Sequence, residues 1–281
     1  MIFSPKNIEE LKELLSSKDS NTYFIAGGTD LIIKIKNKKI TDYNIIDLTK
    51  VVEFKNIVED ESTVSIGSLV TMTELTQNKI IIEQFNSIYK AAYHLGSEQI
   101  RNLATIGGNL ANASQSADVL LSLYSLEADI KVLSASGDMR IIPIRELIVG
   151  KEKTSLQHDE VIAEIILKKD AQRITGFCKI GSRKAVTISK VSCAANLILE
   201  DNKISSAIVY LGAVGTTPTK AKLIEDYLTG KALNEIESSV LKDLGSEEID
   251  LAIPTRSSRN YKRMAAKGLM EDLLQDLNYE L

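Results

Sequence analysis

Histidine and cysteine are scarce in this chain, and their scarcity removes whole classes of chemistry. Among 281 residues there are two cysteines, Cys178 and Cys193, and two histidines, His94 and His158. Two thiols without a CxxC spacing build neither a disulfide framework nor a cysteine-ligated iron–sulfur cluster. With so few imidazoles, neither a zinc site nor a Ser-His-Asp triad is expected. No residue is assigned a catalytic or metal-binding role, so the chemistry is expected to come from a bound group. No apolar run approaches the roughly 20 residues that span a bilayer. The opening "MIFSPKNIEELKELL" lacks a charged region followed by an apolar core, so no signal peptide and a cytoplasmic location are expected. Charge of one sign is missing too. The 34 Lys and Arg stand interspersed with 38 Asp and Glu, for a net charge of −4, and no basic face for nucleic acid is expected.

What is present is the balance of a globular protein, 44% hydrophobic and 26% charged, long enough for one large domain or a few packed lobes. Asn7 and Glu10 have capping-box spacing ahead of an apolar stripe at Ile8, Leu11, Leu14 and Leu15, which predicts an opening helix. "TYFIAGGTDLIIKIK" predicts a strand, a glycine turn and a further apolar segment. "NIIDLTKV" and "STVSIGSLV" predict strands joined by an acidic turn at Glu59, Asp60 and Glu61. The stretch 71–96 predicts helix, with Gly96 as its C-cap. After Asp118 helical periodicity gives way to a hairpin across Ser136, Gly137 and Asp138. Strands follow, with one helix expected around Ser189 to Ala194, then a strand, a Gly/Pro/Thr loop and a helix in 203–230, and a helical tail from Ser257 to Leu277. Without a βαβ rhythm, the mixture points to an α+β fold, and the polar break Lys169 to Ala171 marks a boundary.

Two glycine pairs stand out, "FIAGGTD" (24–30) and "ATIGGNL" (104–110). Successive glycines permit positive φ, so that consecutive N–H groups face one point and the backbone approaches a ligand closely. A concave donor set of that kind suits an anion, above all a diphosphate. Each pair also reads as an ordinary tight turn, and neither matches the GxGxxG or P-loop patterns. Small residues follow the second pair: Asn109, Ala111, Asn112, Ala113 and Ser114 leave room for a flat cofactor. Asp118 lies just beyond, placed either to accept from a ribose hydroxyl or to cap the helix after it.

"AGGTDL" together with "QIRNLATIGGNLANASQSAD" resembles the FAD-binding medium subunit of the molybdenum hydroxylases, the xanthine dehydrogenase and carbon monoxide dehydrogenase group. The likeness runs nearly end to end, through "FSPKNIEELKELL", "GFCKIGSRKAVTISKVSCAANL", "YLGAVGTTPTKAKLIEDYLTGK" and "SSRNYKRMAAKGL". It implies a two-lobed FAD-binding domain of the PCMH (vanillyl-alcohol oxidase-like) type over 1–170, with lobes of about 1–54 and 55–170. A small α+β carboxy-terminal domain over 171–281 would follow. It also implies that the first loop, Ile25, Ala26, Gly27, Gly28, Thr29, Asp30 and Leu31, and the second, Thr105, Ile106, Gly107, Gly108 and Asn109, wrap the FAD diphosphate. Asp118 matches a carboxylate that contacts the cofactor, Ile162 a backbone contact at the flavin end, and Lys179 a lysine near the flavin. Gln115 stands where the family often has proline, and Phe177 where tyrosine occurs elsewhere. There is no cysteine-rich insertion for an additional cluster.

The function implied is that of an electron-transfer subunit with non-covalent FAD. Substrate would be oxidised at a molybdenum cofactor on a large partner subunit. Electrons would pass through [2Fe–2S] clusters on a small partner, then by way of FAD to NAD⁺ or another acceptor. Two other readings are a self-contained flavin oxidoreductase of the same fold and a non-catalytic assembly subunit.

Overall fold

The computed structural model describes residues 1–278; the last three positions of the expected carboxy-terminal segment, 279–281, lie outside the described residues. The fold is α+β, and the chain packs as two compact units, each discontinuous in sequence. The first comprises Met1–Glu74, Ser97–Ala113 and Glu127–Lys168; the second takes up Leu75–Gly96, Ser114–Leu126 and the chain from Lys169 onward.

In the first unit the opening helix forms over Ile8–Ser16, with Asn7 as N-cap accepting from the Glu10 N–H at 2.9 Å, and Leu11 and Leu15 buried beneath it. That helix links Ile2–Phe3 to Thr22–Ile25, and the helix Leu31–Lys36 links Thr22–Ile25 to Asn44–Asp47. The three strands form a parallel sheet with Asn44–Asp47 in the middle. A βαβ rhythm is therefore present here, disguised because the strands are only two to four residues long. The acidic turn does not join Asn44–Asp47 to the next strand. It closes a hairpin between Ile57–Glu59 and Thr63–Gly67, the Asp60 carboxylate accepting from the N–H groups of Ser62 and Thr63. That hairpin edges a five-stranded antiparallel sheet continued by Val161–Lys168, Asp129–Leu133 and Met139–Pro143, with Gly137 turning the last hairpin at φ +90°. Leu11, Leu15, Ile46, Phe54, Leu69 and Leu133 belong to one core that joins this sheet to the parallel one.

In the second unit a four-stranded antiparallel sheet runs Arg173–Ile180, Val191–Glu200, Lys203–Gly212, Thr219–Lys220. One face of Val191–Glu200, through Cys193, Ala195 and Leu197, packs into a core shared with the helices Lys222–Leu228, Ser238–Ala252 and Arg259–Asn278. The other face of the sheet meets the helices Asn86–Tyr93, against the strand Arg173–Ile180, and Asp118–Ser125: the Ser87 N–H donates to Thr175 Oγ1, Asn196 Nδ2 donates to Ser125 O at 3.1 Å, and Tyr210 of Lys203–Gly212 packs edge-on to Tyr124. A strand covered on both faces reads as a near-continuous run of nonpolar residues and shows no alternation. That is why the expectation of a helix around Ser189 to Ala194 fails: the segment enters a ten-residue strand. Helix Asn86–Tyr93 is C-capped by His94, two residues before the expected cap, Gly96, which does take a positive φ (+51°).

Candidate functional site

The two glycine segments meet within the first unit. Gly27 lies directly on the chain leading into the second segment: a Cβ built there would fall 1.8 Å from Leu103 O and 3.0 Å from Ala104 N. Only a residue without a side chain allows that approach. Gly28 takes φ +69°, turning the chain from the strand Thr22–Ile25 into the helix Leu31–Lys36. Asp30 is the N-cap of that helix without a capping side-chain bond. Among the described residues, no protein acceptor takes the N–H of Gly27, Gly28, Thr29 or Asp30. Four successive open donors leading into a helix N-terminus are the kind of electropositive backbone that suits an anion.

The second pair differs from its expectation. Gly107 and Gly108 sit in the first turn of the helix Ile106–Asn112, and neither has positive φ. Their donors are taken: Ile106 N–H by Val70 O, Gly107 N–H by Ser68 O, Gly108 N–H by the Thr105 side chain and Asn109 N–H by Thr105 O, at 2.9, 2.9, 3.1 and 2.9 Å. Glycine is required at 107 for space, since a Cβ would lie 2.5 Å from Ser68 Cβ. The amide cradle thus belongs to the first segment, and the second contributes a flat, close wall.

Between the segments opens a cavity of about 90 Å³ lined by Ala26, Gly107, Gly108 and Ile162, with Phe24 and Ser68. Ile162 reaches it from the start of Val161–Lys168, beside a bulge at Ile162/Glu164. Glu160 also borders this cavity, but its carboxylate is committed to Arg140 (2.6 and 2.8 Å) and the Gln157 N–H (2.7 Å). Arg140 holds that carboxyl below its usual range against the opposing effect of burial. Thr105 and Ile106 are buried supports rather than part of this wall. Ser68 and Glu160 carried no sequence signal, being a lone serine after a strand and an acid beside a turn.

Asp118 and Lys179 lie together in the second unit. Asp118 is the first residue of its helix, and its side chain does not cap it. The carboxylate accepts from Lys179 Nζ at 2.7 Å and from Ser189 Oγ at 2.6 Å, both partners nearly enclosed. Lys179 Nζ donates in addition to His94 O (2.9 Å) and Thr187 O (3.3 Å). Burial pushes the Asp118 carboxyl upward, with the Lys179 ammonium and its hydrogen bond pulling the other way. Burial also lowers His94, helped by the charge of Lys179. Ser189 is a partner that the sequence offered no means of finding.

An α+β chain with a glycine-built anion cradle beside a narrow cavity belongs to the class of nucleotide-cofactor proteins. Residues 1–168 match the family described as the FAD binding domain in molybdopterin dehydrogenase, and residues 177–277 match the CO dehydrogenase flavoprotein C-terminal domain. The nicotinate dehydrogenase FAD-subunit of Eubacterium barkeri is 33% identical over 98% of this chain and 95% of its own length. The carbon monoxide dehydrogenase medium chain of Hydrogenophaga pseudoflava is 26% identical over 96% of this chain and 94% of its own. A solved carbon monoxide dehydrogenase from that organism superposes with a TM-score of 0.88 over 99% of this chain and 97% of its own, at 24% identity, a likeness of fold. The chain belongs to the FAD-binding family of the molybdopterin dehydrogenases, as the resemblance implied; it is an oxidoreductase chain whose cofactor is FAD.

Proposed function

We propose that this chain is the FAD-carrying electron-transfer subunit of a molybdenum-containing dehydrogenase complex. It would take electrons from [2Fe–2S] clusters on a small partner and pass them to NAD⁺ or another acceptor, while substrate is oxidised on a large molybdenum-cofactor partner. The observation that carries this reading is the run of four open amides at Gly27–Asp30, next in the chain to Ala26, which lines one cavity together with the side-chain-free wall at Gly107 and Gly108.

In this reading the first segment, 25–31, neutralises the diphosphate of FAD through its N–H groups. The second, 105–109, holds a surface that a planar group can lie against, and Ile162 closes the cavity floor. Bound FAD supplies two-electron and one-electron redox chemistry, which the protein positions and tunes. Asp118 and Lys179 stay in the proposed cofactor-binding set on the strength of the resemblance, with residues 1–170 as the FAD-binding portion and 171–281 as the carboxy-terminal domain. Two buried, unpaired thiols fit a reducing compartment, and we assign the chain to the cytoplasm.

Purification from the native host under mild conditions tests the reading. One FAD per chain, together with larger and smaller partners carrying molybdenum and iron, is expected. Gly27→Ala should abolish FAD retention, because its methyl group drives the first segment off Leu103. A colourless chain that purifies alone and takes up no added FAD would overturn it.

A further inference from the structure

Ser68 stands at the wall of the cavity between the glycine segments, and its hydroxyl has nothing to bond to. Its backbone is pinned on both sides: the N–H donates to Ala163 O at 2.9 Å, and the C=O accepts from Gly107 N–H at 2.9 Å. The residue is 4% exposed, and Oγ is buried without a hydrogen-bond partner. Its neighbours in the wall, Phe24, Leu48, Leu69 and Val161, offer only hydrocarbon side chains. A buried hydroxyl left unsatisfied is unfavourable, and alanine would fill the same space without that deficit. Ser87 and Ser155 also carry unpartnered buried hydroxyls, but neither lines this cavity.

We infer that Ser68 is a further cofactor-binding residue, its orphan hydroxyl donating to an oxygen of the FAD that occupies the cavity between Ala26, Gly107 and Ile162. The inference rests on the assignment of that cavity to FAD. It differs from the role of the glycines, which act through open amides and through space. Ser68 acts through a side-chain donor that the protein itself leaves unused.

The test compares the wild-type chain with Ser68→Ala and Ser68→Gly, each stripped of flavin and titrated with FAD by flavin fluorescence, with thermal unfolding of the flavin-free forms in parallel. A ligand donor and a packing residue give opposite signatures. If Ser68 serves FAD, Ser68→Ala leaves the melting temperature of the flavin-free chain unchanged or raises it, while the Kd for FAD weakens about five- to tenfold. Ser68→Gly should weaken FAD binding at least as much. An unchanged Kd in Ser68→Ala, with water as the hydroxyl's partner, overturns the inference alone. So does a weakened Kd that comes with a destabilised flavin-free chain, since the loss would then be structural. A wild-type chain that binds no FAD overturns the cavity assignment and this inference with it.

Discussion

The sharpest contrast available within the site is between neighbouring glycines of one helical turn, Gly107 and Gly108. A methyl group at Gly107 would lie 2.5 Å from Ser68 Cβ, 2.7 Å from Ser68 O and 3.0 Å from Ser68 Cα. Carbon atoms settle at about 3.5–4.0 Å, so the first turn of the helix Ile106–Asn112 must retreat by roughly 1 Å. Ser68 cannot yield, because its N–H is tied to Ala163 and its carbonyl to Gly107 itself. The retreat strains two backbone bonds, Gly107 N–H to Ser68 O and Ile106 N–H to Val70 O, each worth about 0.5–1.5 kcal/mol net. Overpacking adds about 1–3 kcal/mol, and the better helix propensity of alanine returns about 1 kcal/mol. Gly107→Ala should therefore destabilise the flavin-free chain by about 2–4 kcal/mol. At Gly108 the nearest atom to an added Cβ is Thr105 Oγ1 at 2.9 Å, and no backbone lies in the way. Gly108→Ala should stay within about 1 kcal/mol of wild type. Urea unfolding of both variants, followed by circular dichroism and tyrosine fluorescence, measures the difference, with an unchanged slope confirming that the same surface unfolds. Equal stability of the two variants would refute the view that the second glycine pair is a packing device rather than a positive-φ turn.

Other perturbations separate structural from cofactor roles. Lys179→Met leaves the enclosed Asp118 carboxylate with Ser189 alone; breaking such a pair costs about 3–5 kcal/mol. Adding Asp118→Asn should recover part of that loss, and strict additivity in the double-mutant cycle would refute the coupling. Arg140→Ala should cost about 1–2 kcal/mol at neutral pH, held down by the half-exposed guanidinium. Because Glu160 titrates below its usual value in the fold, its contribution is present above the unfolded value near 4.3 and disappears as pH falls through the folded one. The stability gap between wild type and Arg140→Ala should accordingly narrow under acid conditions, as urea titrations across the pH range would read. The Asp60 carboxyl, lowered to about 2 by the Thr63 hydroxyl and nearby N–H groups, should give an NMR titration midpoint there, and Thr63→Ala should move it upward. Cys178 and Cys193, whose thiols burial pushes up, should resist a thiol reagent in the native protein and both react once it is unfolded.

What the sequence could reveal about this fold depended on whether the cause was local. The N-cap at Asn7, the positive φ at Gly28 and the hairpin at Gly137 arise from side chains within a few positions of each other, and each was legible. The strand Val191–Glu200 was not, because the alanines in it are small for a nonlocal reason: helices from distant parts of the chain cover both of its faces. The assignment of Leu75–Gly96 and Ser114–Leu126 to the second unit is likewise written in contacts across long separations, such as the Ser87 N–H on Thr175 Oγ1. The glycine pairs show the same division inside the site. Their pattern identified the family, yet it could not say which pair offers donors. Gly27 to Asp30 and Gly107 to Asn109 look alike as sequence, but Thr105, Ser68 and Val70 consume the second set. A motif of glycines therefore specifies where backbone comes close, and only the surrounding acceptors decide whether that backbone remains free to bind an anion.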